Sequence, residues 1–312
     1  MMPTQQGSIR LFRAFGINVY LHWSWFLLAL WAIDRRAGYY SSPIWNVAEY
    51  IALFGIVLMH EFGHSLACRQ VGGQADQIVL WPLGGVAYVA PPQRPGATLW
   101  SIAAGPLVNV ALIPVILGID TIASAAGWWL TMPDVARLLR TLWMINIGIL
   151  IFNLLPVYPL DGGQIVRSLL WFPLGRVRSL QVAVIIGFAG VAALGLYAFS
   201  QGSIWLGIMT AFIFMNCKQG WDHARSLSQV EQIRRRAGFS CPECKSSPPE
   251  GEYWICGKCE AHFDTFATGG VCPQCGTGFS AARCIDCGAW TPLRDWAGSA
   301  SDGPVRPERP II

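Results

Sequence analysis

The residues best suited to chemistry are Met59-His60-Glu61-Phe62-Gly63-His64. Histidines four apart stand one above the other on one face of an α-helix. They can offer imidazole nitrogens to one metal ion at about 2.0–2.1 Å, the distance zinc takes. Glu61 falls roughly 60–100° around the helix from them. Its carboxylate then sits beside the ion and not on it, where a base takes a proton from metal-activated water. Short motifs also arise by chance, with the histidines as packed core residues, so the surrounding chain has to decide.

The element that must carry the motif is apolar. From Val47 the chain reads Ala-Glu-Tyr-Ile-Ala-Leu-Phe-Gly-Ile-Val-Leu-Met before His60, and Ser65-Leu66-Ala67-Cys68 follows His64. This is about the ~20 residues a membrane span needs, and ionisable groups inside a span are costly and mark function. The whole chain agrees. Of its 312 residues 53% are hydrophobic and 13% charged, with mean hydropathy +0.41, whereas soluble domains carry about 25% charged residues. The pattern predicts helical spans near 17–33, 47–68, 98–118, 141–157, 180–199 and 203–217. Arg10 and Arg13 before the first run resemble the start of a signal peptide, but no small-x-small cleavage site follows, so that run reads as a span.

Other residues could join the metal. Pro156-Val157-Tyr158-Pro159-Leu160-Asp161-Gly162-Gly163 breaks a helix where an acid sits. Non-helical backbone at membrane depth is tolerated where it is buried in protein or lines a wet cavity. Asp161 is therefore a candidate third ligand, with capping of the following helix as its alternative role. His22 lies early in the first run and reads as hydrogen-bonded structure rather than a ligand. Between the second and third spans, residues 74–90 hold two β-prone runs around Pro82-Leu83-Gly84-Gly85, which predicts a hairpin beside the membrane. Gly105 and Asn109 in the third span suit close helix approach and a bond across helices.

Charge sets orientation. With a cytoplasmic N-terminus, the cytoplasmic segments hold Arg10, Arg13, Arg69, Arg94, Arg167, Arg176, Arg178, Lys218 and Arg225, against Arg35, Arg36, Arg137 and Arg140 outside. This predicts both termini inside and brings the His60 and Asp161 ends to similar depth.

Ten cysteines are present, eight of them in Cys-x-x-Cys pairs: Cys241/Cys244, Cys256/Cys259, Cys272/Cys275 and Cys284/Cys287. That spacing favours metal over disulfides and suits a reducing compartment, and eight thiolates can hold two tetrahedral zinc ions. Sequential pairing gives two zinc ribbons; the short intervals leave a cross-braced arrangement open. Cys68 and Cys217 read as small apolar side chains. Acids outnumber bases across 241–287, which argues against nucleic acid and for docking of a protein partner or substrate. The net charge of +4 reads as membrane topology.

Together these residues resemble the site-2 protease family of intramembrane zinc metalloproteases, the M50 type. The resemblance covers about residues 15–217. It rests on His60-Glu61-Phe62-Gly63-His64, Pro82-Leu83-Gly84-Gly85-Val86-Ala87, Gly105-Pro106-Leu107-Val108-Asn109 and Asn153 through Gly163. It implies an endopeptidase cutting in or near the transmembrane segment of a membrane protein. His60, His64 and Asp161 would hold the catalytic zinc, Glu61 would be the base, and Asn153 would help to stabilise the oxyanion. The layout is similar to the branch without a PDZ domain; where that branch often carries a CBS pair, this chain carries the cysteine-rich tail.

The expected fold is an all-α polytopic membrane protein of about six helices with a small membrane-associated β-hairpin, plus a zinc-ribbon-like C-terminal domain. The expected parts are a transmembrane metalloprotease domain over 1–217, a basic linker over 218–240, a double ribbon over 241–290 and a disordered tail over 291–312. The expected cofactors are one catalytic and two structural zinc ions. The expected partners are a membrane-spanning substrate and the bilayer of a prokaryotic cell. The rival readings are a zinc transporter or sensor, which needs stepping ligands on other spans, and an inactive scaffold presenting the ribbons.

Overall fold

The computed structural model describes residues 7–81 and 84–296. The chain divides into two units, Met1–Arg225 and Ser226–Ile312.

The first unit is helical but opens with β-structure: β1 (Ser8–Ala14) and β2 (Ile17–His22), followed by α1 (Ser24–Arg35) and α2 (Pro43–Gln70). The hairpin β3 (Gln74–Trp81) and β4 (Gly84–Ala90) follows, then α3 (Pro95–Ala125), α4 (Trp128–Thr131), α5 (Pro133–Leu154) and α6 (Asp161–Gln201). A last helix, α7 (Ile204–Gln232), runs on into the second unit. Pro82 and Leu83, at the expected hairpin turn, lie outside the described residues.

Among the described residues four helices are long and apolar enough to cross a membrane: α2, α3, α5 and α6. The expected first span is not among them, nor is the expected sixth, which falls in α7. Ile17, Val19 and Leu21 are buried while Asn18, Tyr20 and His22 are less so, the period-two pattern of a strand. The remaining helix α1 has 12 residues, about 18 Å at 1.5 Å per residue, too short to span. The expected fifth span lies within α6, which is interrupted at Gly175 (φ 79°, ψ 176°) two residues after Pro173. Only a glycine adopts that backbone without strain.

The expected hairpin is half of a larger sheet ordered β1-β2-β3-β4. The β2–β3 pair is parallel, from Asn18↔Gln77 to Leu21↔Leu80, which requires the crossover that α1 and α2 supply. Ile17, Val19, Leu21, Ile78 and Leu80 form a core with Trp25, and Phe54, Val57, Leu58 and Phe62 of α2 pack against it. The sheet thereby fixes one side of the motif helix. On another side α2 meets α3. A Cβ on Gly63 would lie 2.7 Å from the Ala104 carbonyl oxygen, and one on Gly105 only 2.3 Å from His64 Nε2. Paired small residues of this kind let two membrane helices approach closely.

The second unit contains two hairpins, β5 (Trp254–Ile255) with β6 (His262–Phe263), and β7 (Ala281–Arg283) with β8 (Trp290–Pro292). A 3₁₀ turn follows at Leu293–Asp295. Phe266, Trp296, Phe239 and Trp254 pack as an aromatic core. The chain expected to be disordered from residue 291 is therefore structured through Trp296, because that indole is buried in the core. Residues 297–312 lie outside the described residues. The expected basic linker also ends within this unit. Arg234 pairs with Glu250, Arg235 with Asp286 and Arg236 with Asp264, so these arginines are neutralised internally.

Candidate metal centre

His60 and His64 are buried on the inward face of α2, and Asp161 is the first residue of α6. The three side chains converge. His60 Nε2 and His64 Nε2 are 3.1 Å apart, and Asp161 Oδ2 lies 3.0 Å from the first and 3.4 Å from the second. Leu160 holds the N-cap position of α6, and the Asp161 carboxylate faces the two histidines.

The far side of each imidazole fixes its tautomer. His64 Nδ1 is 2.9 Å from the Ser101 carbonyl oxygen, a pure acceptor, and so carries the hydrogen. His60 Nδ1 is 2.6 Å from Asn109 Oδ1. Asn109 Nδ2 donates to Asn146 Oδ1 at 2.8 Å, and Asn146 Nδ2 donates to the Asn109 carbonyl oxygen at 2.9 Å. The closed pair leaves Asn109 Oδ1 as acceptor, so His60 also carries its hydrogen on Nδ1. Both Nε2 atoms are then bare lone pairs. Asp161 Oδ2 is buried without a well-formed hydrogen bond. Three acceptor atoms facing one point repel one another unless a cation lies between them. A tetrahedron with bonds of ~2.0–2.1 Å has edges of about 3.3–3.4 Å, close to the observed separations. The donor set of two imidazoles and one carboxylate suits a zinc site with a fourth position open. Outer hydrogen bonds like these, donated by Nδ1–H to Asn109 Oδ1 and the Ser101 carbonyl oxygen, orient metal-binding histidines.

Glu61 is buried beside the cluster. Its Oε2 accepts the Ala87 N–H of β4 at 2.9 Å, a donor on the free side of an edge strand. A Cβ on Gly85 would fall 2.4 Å from Glu61 Cγ. Asn153 lies half-buried in the last turn of α5, with no hydrogen bond to the histidines, Glu61 or Asp161. His22 stands apart: its Nδ1 is 2.5 Å from Ser24 Oγ and its ring stacks on Trp81.

A family model described as Peptidase family M50 matches residues 48–124 and 121–197, which span both helices of the cluster. The chain is also similar to the Zinc metalloprotease MJ0392 of Methanocaldococcus jannaschii, 32% identical over 68% of this chain and 60% of the relative. The region that carries the cluster, residues 48–197, is similar to peptidase family M50. A further similar protein is Rip3 of Mycobacterium tuberculosis, 28% identical over 67% of this chain and 56% of that protein. The chain thus spans less than two thirds of the length of these curated relatives. Among solved structures, the Site-2 Protease from Methanocaldococcus jannaschii is 29% identical, with 68% of this chain and 94% of that chain covered, at a TM-score of 0.49.

The eight tail cysteines gather in two groups: Cys241, Cys244, Cys284 and Cys287, and Cys256, Cys259, Cys272 and Cys275. The pairing is nested, first knuckle with fourth and second with third, neither sequential throughout nor cross-braced. Sulfur separations of 3.8 and 3.7 Å in the outer group and 3.6 Å in the inner match the edges of about 3.8 Å that a tetrahedron of ~2.3 Å Zn–S bonds requires. Each knuckle ends on a left-handed residue: Lys245, Glu260, Gly276 and Gly288.

Sequence reasoning missed three parts of the site. Ser101 acts through its backbone carbonyl, which no side-chain pattern marks. The Ala87 N–H is likewise a backbone group. Asn146 carried a readable signal, an amide inside an apolar helix.

Proposed function

We propose that this chain is an intramembrane zinc metalloendopeptidase that cleaves a peptide bond in or near the transmembrane segment of a membrane protein, as in regulated intramembrane proteolysis. The observation that carries the reading is the meeting of His60 Nε2, His64 Nε2 and Asp161 Oδ2 with a second acid, Glu61, held beside them by β4. His60, His64 and Asp161 hold one zinc ion, and the two cysteine groups hold two more. When bound, the catalytic ion supplies a Lewis acid that polarises the scissile carbonyl and eases deprotonation of water.

Glu61 takes the proton from the attacking water and passes it to the leaving amine. The Ala87 N–H orients the other carboxylate oxygen. Asn153 supplies an amide donor to the developing oxyanion. Helical carbonyls are already hydrogen-bonded, so the substrate unwinds before attack, and the free edge of β4 offers strand pairing to the unwound segment. Both termini are cytoplasmic, and cleavage is near that face. The tail docks a protein partner or the substrate.

Glu61→Gln tests the reading. Purified protein with this change keeps its zinc and cuts no spanning peptide that the parent cuts. Undiminished cleavage, or metal flux that depends on Glu61 in the absence of cleavage, sinks it.

A further inference from the structure

Asp161 is the first residue of α6, and the N-cap Leu160 makes no side-chain bond to the helix, so the register of the carboxylate depends on the residues just before it. Those residues are gripped. The Tyr158 carbonyl accepts the Cys217 thiol of α7 at 2.8 Å. Gly220, one turn along α7, has its Cα against the Tyr158 ring, where a Cβ would lie 2.5 Å from Cε1. On α6, a Cβ on Gly187 would lie 3.1 Å from the Tyr158 carbonyl oxygen and 2.9 Å from Cys217 Sγ, and one on Gly190 would lie 2.4 Å from Val157 Cγ2. Gly187 and Gly190, like Cys217 and Gly220, are three residues apart and share a helix face. The turn is closed toward Asp161 by Leu160 N–H donating to the Val157 carbonyl at 2.9 Å and Gln164 Nε2 donating to the Pro159 carbonyl at 2.9 Å.

We infer that Val157 and Tyr158, seated in a cradle of Gly187, Gly190, Cys217 and Gly220, are positioning residues that set Asp161 against His60 and His64. This rests on the reading of Asp161 as a zinc ligand. Only Pro159 and Leu160 separate Tyr158 from Asp161. Ordinary contact needs about 3.4 Å or more between carbons, so an added methyl at Gly190 or Gly220 forces a shift of roughly 1 Å. Zinc ligands tolerate only about 0.2 Å.

The full chain is purified in detergent and dialysed against a series of buffered free-zinc concentrations, and bound zinc is counted by mass spectrometry. The tail groups give a plateau of two ions; the catalytic site adds the third. Gly190→Ala and Gly220→Ala each raise the free zinc needed for the third ion by roughly 10–100-fold, with the tail plateau unchanged. Adding Val157→Ala to Gly190→Ala restores it. Should the alanine variants fail to fold, Cys217→Ala adds no bulk and gives the same loss, which Cys217→Ser reverses. Retention of the third ion at parental free zinc overturns the inference, as does a loss that Val157→Ala does not relieve. A parent holding only two ions overturns both this inference and the metal-site reading. A parent that holds three but cuts nothing overturns the protease reading alone, and the variant titrations still decide this one.

Discussion

Gly85→Ala separates the base from the metal. The added Cβ would lie 2.4 Å from Glu61 Cγ and 2.5 Å from its Cδ and Oε1. Ordinary contact is about 3.4 Å or more, so Glu61 or β4 must give by roughly 1 Å. Either response breaks the register between the carboxylate and the Ala87 N–H, now 2.9 Å apart. Misplacing a catalytic group by about 1 Å costs on the order of 10²-fold in rate, or about 2.7 kcal/mol of barrier. None of the three atoms nearest the added methyl belongs to His60, His64 or Asp161, so zinc content is expected to stay at the parental value. The assay is single-turnover cleavage, in detergent, of a spanning peptide that the parent cuts, with bound zinc measured on the same sample. Full activity in the variant would refute the placement of Glu61 as base against β4. Loss of zinc in step with loss of activity would show instead that Gly85 supports the whole cluster.

Asn109→Ala removes the acceptor for His60 Nδ1 and the donor to Asn146, leaving two buried groups unsatisfied at about 1–3 kcal/mol each. Catalytic-site zinc affinity should fall roughly 10–100-fold, read by competition with a chelator. Nested pairing predicts that Cys244→Ser with Cys284→Ser loses one zinc, because both residues serve one group; sequential pairing would lose two, and metal analysis decides. In the ribbon unit, burial works against ionisation of Asp264, but the N–H groups of Gly251 and Ala267 and the Arg236 guanidinium hold its carboxyl below the ordinary range. Its contribution is complete above the ordinary value of about 3.9 and fades only as pH falls through the lower folded value. Asp264→Asn should therefore cost on the order of 1.5–3 kcal/mol, and the gap to the parent, followed by thermal unfolding, should stay flat from about pH 8 to pH 5.5.

What was legible in the sequence was whatever has a period or a break. His60 and His64 follow from the helical repeat, and Asp161 from Pro156 and Pro159, which interrupt the helix between α5 and α6. The apolar run from Ile17 to Ile33 misled because its mean hydropathy hid two periods. Ile17, Val19 and Leu21 alternate as a strand does, and the helical pattern starts only after His22. The parallel β2–β3 pair could not be read, since it joins residues about 60 apart in the chain and rests on the packing of both strands against α2. Knuckle pairing was equally hidden: four identical Cys-x-x-Cys units carry no local mark of their partner. Cys241 and Cys284 of the outer group share a core with Phe266 and Trp296, a tertiary contact with no local signature. The run Arg234-Arg235-Arg236 reads as the end of a basic linker because its acids lie well beyond it, at Glu250, Asp264 and Asp286.

Histidine alone does not make a metal site; what matters is which of its nitrogens is left without a partner, and where it points. Inside a membrane helix no water completes a missing bond. The fold uses Ser101, Asn109 and Asn146, all fully buried, to satisfy the Nδ1 side of His60 and His64 and to tie the amides to each other. Both Nδ1 hydrogens in that network have an acceptor. The unmet demand that remains is concentrated on two Nε2 atoms and Asp161 Oδ2, which share one point. His22 offers the contrast. Its Nδ1 meets Ser24, its ring is stacked on Trp81, and it belongs to no His, Asp, Glu or Cys cluster among the described residues. The same residue type is held by a local partner in one case and leaves Nε2 facing a shared point in the other. The difference lies in the second ring nitrogen, whose partner is set by helices far away in the chain.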